Sequence, residues 1–219
     1  VQSHARAGAA ADAGRFDGEI EPVDVAAWAE PALEAPNARF ERDETIRRGT
    51  SAEKLATLKT SFRPDGRITA GNASQISDGA AALLLMEEAM AKRLGLKPRA
   101  RIRAMLTIGS DPTLMLTGPV EATRRALDRA GLSLHDIDLA EVNEAFAPVP
   151  LLWLKELGGD PDKLNVNGGA IALGHPLGAT GAILTVKALY ELDRVDGKYG
   201  LVTMCIGGGQ GIALAIERL

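Results

Sequence analysis

The stretch Leu201–Leu219 reads LVTMCIGGGQGIALAIERL and decides the fold. An apolar run gives way to Gly207-Gly208-Gly209 and a second apolar run follows, which reads as two strands joined in a closing hairpin. Just upstream, GATGAILTVKALYEL (Gly178–Leu192) sets Ala182, Ile183, Val186, Leu189 and Tyr190 on one helical face, so one side of this helix is expected to pack on a sheet.

Farther upstream the alternation continues. NEAFAPVPLLWLKELGG (Asn143–Gly159) reads as a helix begun by Asn143 and ended by Gly158-Gly159, and DIDLAEV (Asp136–Val142) as a short strand. GPVEATRRALDRAG (Gly118–Gly131) is a helix with Pro119 near its first position and Gly131 as its stop, and ARIRAMLTI (Ala100–Ile108) is a strand. From Gly79, GAAALLLM is apolar without alternation, as in a strand buried on both faces, and it leads into a helix ending near Gly95. This order predicts a layered α/β domain.

Residues 1–67 are less regular and read as a lid or excursion. They hold an alanine-rich helix from Val1, a strand candidate EIEPVDV (Glu19–Val25), and the charged stretch RFERDETIRRG (Arg39–Gly49). Thr50 and Glu53 fit a capping box for a helix SAEKLATL, RPDG (Arg63–Gly66) is a turn, and RITA (Arg67–Ala70) is a further strand candidate.

At 219 residues the chain suits one large domain or two small ones, and can bury roughly 70% of its extended surface. A net charge of −4 with interspersed signs gives no general reason to bind nucleic acid or anionic membrane. Aromatics at 4% argue against a base-stacking platform. One cysteine makes no internal disulfide, and no apolar span reaches about 18 residues, so the expectation is a soluble, cytoplasmic protein. Val1 opens directly into a helical pattern, which suggests a chain that begins partway through a larger protein.

Chemistry-bearing residues gather at element junctions. His175 lies in GHPLG, where Pro176 keeps it off a helix and the flanking glycines let backbone or ligand approach; it is either a polar turn residue or a reactive imidazole. Cys205 ends a strand before three glycines and is either a small buried hydrophobe or a reactive thiol. Asn143 is a helix N-cap or a site residue. His4 and His135 have no such setting and read as surface residues. No cluster with metal-ligand spacing is present.

Together, NEAFA (Asn143–Ala147), NVNGGAIALGHPLGATGA (Asn165–Ala182) and CIGGGQG (Cys205–Gly211) resemble the C-terminal half of the thiolases, and TAGNASQISDGAAALLLM (Thr69–Met86) is similar to the same family. The resemblance implies a five-layer α/β/α/β/α fold. Residues 1–67 would be the remainder of the lid, 68–98 the last strand and helix of the N-terminal half, and 99–219 the C-terminal domain.

The resemblance further implies an acyl-CoA acyltransferase working through two cysteines and a histidine. His175 would activate an acylated cysteine; Cys205 would be the acid/base at the substrate α-carbon. A water held by Asn143 and the N–H of Gly207 would serve two oxyanion sites. Ser74, Ala145 and Phe146 would line the pantetheine tunnel, and Arg47 is a candidate contact for the nucleotide end. Coenzyme A and acyl-CoA are the implied substrates, with no prosthetic group or metal. The acylated cysteine belongs to a Cys-x-Ser-Gly motif that these residues lack, so the N-terminal half, in the same polypeptide or a separate chain, is an implied partner, with assembly as a homodimer or homotetramer. SDPTLMLTGP (Ser110–Pro119) and Gln210 lean toward degradative thiolysis of 3-ketoacyl-CoA over biosynthetic formation of acetoacetyl-CoA. A nucleophile-less acyl-CoA binding module is the reading from another class.

Overall fold

A computed structural model describes residues 1–24 and 39–219. In chain order the elements are α1 (Gln2–Asp12), β1 (Val23–Asp24), β2 (Arg39–Phe40), α2 (Ala52–Ala56), α3 (Glu88–Arg93), β3 (Ala100–Gly109), α4 (Gly118–Ala130), a 3-10 turn (Leu134–Asp136), β4 (Leu139–Val142), α5 (Pro148–Leu157), α6 (Ala170–Leu173), α7 (Thr180–Val195), β5 (Tyr199–Ile206) and β6 (Gln210–Arg218). No described helix is long and apolar enough to cross a membrane.

The hairpin forms as the sequence dictates. β5 and β6 pair antiparallel with Cys205 opposite Gly211 and Ile206 opposite Gln210, leaving Gly207–Gly209 as the turn. The sheet runs β3-β6-β5-β4, with β3 antiparallel to β6 and β4 parallel to β5. Helices cover both faces: α4 lies over β3, β6 and β5, and α7 over β5, β4 and β6. Alanines make the first contact close, since Ala122, Ala126 and Ala130 of α4 meet Ala104, Ala213 and Ala215. A Cβ on Gly211 would lie 2.5 Å from the Gly118 carbonyl carbon, so here strand and helix backbones touch.

α4 ends at Gly131 with φ 68, as expected of a glycine stop. α7 departs from expectation. Leu184, Ala188 and Leu192 are the residues packed on the sheet, together with Leu139, Val202 and Ile216. Of the face expected to pack there, Leu189 flanks that cluster, while Ala182, Ile183, Val186 and Tyr190 lie outside it and are half-buried. Both sides of α7 are apolar, the pattern of a helix between two layers.

The irregular region departs further. The strand expected over Glu19–Val25 is reduced to Val23–Asp24, paired with Arg39–Phe40, and Val25 lies outside the described residues. The α2 N-cap is Ser51, which accepts from Lys54 N at 3.3 Å, because Thr50 Oγ1 instead donates to Arg47 O at 2.7 Å. RITA contributes one bridge, Thr60 to Thr69. Gly79–Met86 forms no ladder, with Leu84 80% and Leu85 68% exposed. A strand buried on both faces needs neighbours on both edges. Among the described residues nothing supplies them.

Candidate active site

β4 and β5 run parallel, and their C-terminal ends bring two candidates to one edge of the sheet. Asn143 is not a helix N-cap: its N–H donates to Thr203 O at 3.0 Å, extending the ladder one residue beyond β4, and the helix starts only at Pro148. Thr203 stands two residues before Cys205. Cys205 is 8% exposed, packed with Leu127, Val142, Val149 and Trp153, and burial pushes its thiol pKa up.

His175 arrives from the opposite side, on the turn between α6 and α7. Gly174 takes φ 87, and the His175 N–H donates to Gln75 O at 2.9 Å. Its imidazole is held at both nitrogens: Nδ1 lies 2.6 Å from Thr180 Oγ1 and Nε2 lies 3.3 Å from Asn143 Nδ2. The Thr180 hydroxyl donates to Pro176 O at 2.9 Å. That hydroxyl therefore accepts from Nδ1–H, and Nε2 keeps its lone pair toward Asn143. Burial lowers the His175 pKa, which favours the neutral base. The Asn143 Oδ1 is buried and has no hydrogen-bond partner among the described residues.

Ser74, Ala145 and Phe146 come together. Ser74 N–H donates to Ala145 O at 2.9 Å, and Ala73 bridges Phe146. Gly207 sits on the hairpin turn with open space where a Cβ would project. Arg47 lies apart from this group; its side chain is exposed, and its backbone N–H donates to His4 Nδ1 at 3.1 Å. His4 is thus no surface residue. It is 8% exposed, with its pKa lowered by burial first and by nearby positive charge second.

Sequence reasoning missed the support around these residues. Thr180, four residues after Pro176 at the first position of a helix, could have been found from that spacing, since a hydroxyl there reaches back to the i−4 carbonyl. Glu144 gives no such local signal. Its carboxylate accepts from Ser3 Oγ at 2.6 Å and Ile171 N at 3.3 Å, joining α1, the NEAFA loop and α6. Among the described residues no three of His, Cys, Asp and Glu cluster so as to hold a metal ion.

The family model described as "Thiolase, C-terminal domain" matches residues 96–218, and "Thiolase, N-terminal domain" matches residues 1–89. An acetyl-CoA acetyltransferase of Pseudomonas aeruginosa is 53% identical over 216 residues, covering 99% of this chain and 54% of that protein. The crystal structure of the Bacillus anthracis acetyl-CoA acetyltransferase superposes with a TM-score of 0.93 at 46% identity, over 100% of this chain and 54% of the other. Human mitochondrial 3-ketoacyl-CoA thiolase in complex with CoA gives 0.89 at 44% identity, over 100% and 52%. The chain spans about half the length of the curated relatives it matches.

Proposed function

Because the chain belongs to the thiolase family and has its layered α/β fold, we propose that it forms part of an acyl-CoA acyltransferase that cleaves 3-ketoacyl-CoA with coenzyme A. The observation that carries this reading is the His175 imidazole, fixed at Nδ1 by Thr180 and with its unprotonated Nε2 turned to Asn143 Nδ2 at 3.3 Å, at the strand ends where Cys205 lies.

His175 Nε2 takes the proton from a cysteine thiol supplied by the rest of the protein, and that sulfur attacks the 3-keto carbon. The bond between the α-carbon and the keto carbon breaks, and its electron pair moves onto the α-carbon as the enolate of acetyl-CoA. The Cys205 S–H protonates that carbon. The resulting thiolate takes the proton of an incoming coenzyme A, whose sulfur then displaces the acyl group from the enzyme cysteine, and that cysteine leaves as a thiolate that recovers its proton from His175 Nε2–H. A thiol with a raised pKa suits both halves of this exchange: it stays protonated at neutral pH, and its thiolate is a strong base. Imidazolium Nε2–H, with a water on Asn143 Oδ1, would meet one oxyanion, and the Gly207 N–H the other.

Ser74, Ala145 and Phe146 would line the pantetheine arm, with Arg47 toward the nucleotide. Residues 1–67 would serve as lid, 68–98 as the end of the N-terminal half and 99–219 as the C-terminal domain. The exposed apolar run Gly79–Met86 would then pair as a strand with the remainder of that half. The protein would assemble as a homodimer or homotetramer. A second reading, biosynthetic joining of two acetyl-CoA, is favoured by the acetyl-CoA acetyltransferase names of the relatives.

Thiolysis rates of the complete protein on acetoacetyl-CoA and on a long-chain 3-ketoacyl-CoA separate the two directions; strong preference for the C4 substrate would favour the second. Cys205→Ser should still acylate but slow α-carbon proton exchange by about two orders of magnitude, whereas His175→Ala should impair both half-reactions. Normal condensation by Cys205→Ser would refute the assignment. Absence of acylation and thiolysis in the complete wild type would leave the binding module instead.

A further inference from the structure

The turn that carries His175 is held by a residue that never touches the imidazole. α6 is only four residues long and stops at Gly174, so the carbonyls of Ile171 and Ala172 have no helical partner. Gln75 supplies one: its Nε2 donates to Ile171 O at 3.1 Å and to Thr45 O at 3.1 Å, and lies 3.3 Å from Ala172 O. Thr45 Oγ1 donates to Ala172 O at 2.6 Å. The backbone carbonyl of Gln75 accepts the His175 N–H at 2.9 Å. One side chain therefore joins the 39–50 segment, the GNASQ stretch and the end of α6. Packing leaves the turn little room, since a Cβ on Gly174 would lie 2.2 Å from Ser77 Oγ.

We propose that Gln75, acting with Thr45 as one clasp on α6, is a positioning residue that sets the distance of the His175 imidazole from the reacting thiol. The inference rests on the reading of His175 as the base. Two amide hydrogens shared among three carbonyls have no apolar substitute; without them Ala172 O keeps only the Thr45 hydroxyl, and leaving the Ile171 and Thr45 carbonyls unpaired favours a reoriented turn. The main-chain bond from His175 to Gln75 survives substitution, so the fold is retained while the imidazole loses its register.

The test is steady-state thiolysis by the complete enzyme, normalised to the amount of acyl-enzyme formed. Gln75→Met keeps the side-chain length and removes both donors. It should lower kcat about ten-fold or more while KM for the acyl-CoA moves less than about three-fold. The acid limb of its pH profile should rise toward 6.5, because the depression of the His175 pKa depends on burial. Thr45→Val should act in the same direction, and the double variant should lose little more than Gln75→Met alone. An unchanged kcat and acid limb, with only the Tm lowered, would overturn the proposal, as would fully additive losses. His175→Ala separates the two levels. If it is inactive while Gln75→Met is normal, only the clasp fails; if it is fully active, the base assignment fails and the clasp with it.

Discussion

His175 Nδ1 and Thr180 Oγ1 stand 2.6 Å apart, and the same hydroxyl gives its proton to Pro176 O. A single hydroxyl proton serves one acceptor, so the tautomer of His175 follows from Thr180 and Pro176 together. Thr180→Val removes the acceptor and frees both the ring and its tautomer. We expect kcat to fall about ten- to hundred-fold, within the worth of a positioned base, while Thr180→Ser stays near wild type. The nitrogen shifts of labelled His175 report the tautomer directly, and a Thr180→Val protein still protonated at Nδ1 would contradict the argument.

The pH profile follows from two opposite burial effects. As the proposed base, His175 must be neutral to accept a proton, and its lowered pKa keeps it neutral below the ordinary 6.5, so the acid limb of kcat/KM should fall below that value. As the proposed acid, Cys205 must be a thiol to donate, and its raised pKa keeps it protonated beyond the ordinary 9.0, so the alkaline limb should lie above it. The expected profile is a plateau wider than 6.5 to 9.0. Cys205→Ser should abolish the alkaline limb and leave the acid one.

What the sequence made legible is what local rules control. The hairpin around Gly207–Gly209, the Gly131 stop and the strand end that carries Cys205 depend on neighbours within a few residues, whereas Asn143, read as a helix start, is drawn onto the sheet by the distant Thr203 carbonyl. The remainder depends on distant partners. Gly79–Met86 has strand composition but becomes a strand only when paired, and α7 buries Leu184, Ala188 and Leu192 because the sheet lies on that side, a choice its periodicity leaves open with Ile183 and Val186 opposite. Glu144 and Gln75 support the site across separations of more than twenty residues, with no spacing to betray them.

Beneath the site, Lys187 Nζ donates to Glu141 Oε2 at 3.0 Å and to Gly168 O at 2.7 Å, with side chains 5% and 0% exposed. Burial raises the Glu141 pKa and the lysine opposes that rise. Lys187→Met leaves a buried carboxylate without its counter-ion and should cost about 3–5 kcal/mol at neutral pH. Its folded pKa, higher still in the variant, makes the folded state take up the proton first, so the deficit should shrink as pH falls toward 5. Lys187→Met/Glu141→Leu should recover most of the loss. Denaturant midpoints at pH 7 and pH 5 check both statements, and a pH-independent deficit would rule out Glu141 as its source.

The three glycines after Cys205 look alike in the sequence and differ in the structure. At Gly209, φ is 84 and a Cβ would lie 2.7 Å from Pro112 Cα and 2.8 Å from Asp111 O, both backbone atoms with no freedom to yield. Gly207 has an ordinary φ and nothing within 4 Å of its Cβ direction. Gly209→Ala should therefore destabilise the protein by roughly 1–3 kcal/mol through left-handed backbone strain, with added cost from the contact. Gly207→Ala should fold with an unchanged Tm. If Gly207 N–H receives the thioester oxygen, a methyl group there crowds the approach, and activity should fall while stability holds. Thermal melts and thiolysis rates on the two variants separate these effects; a fully active Gly207→Ala would remove Gly207 from the oxyanion site, whatever happens at Gly209.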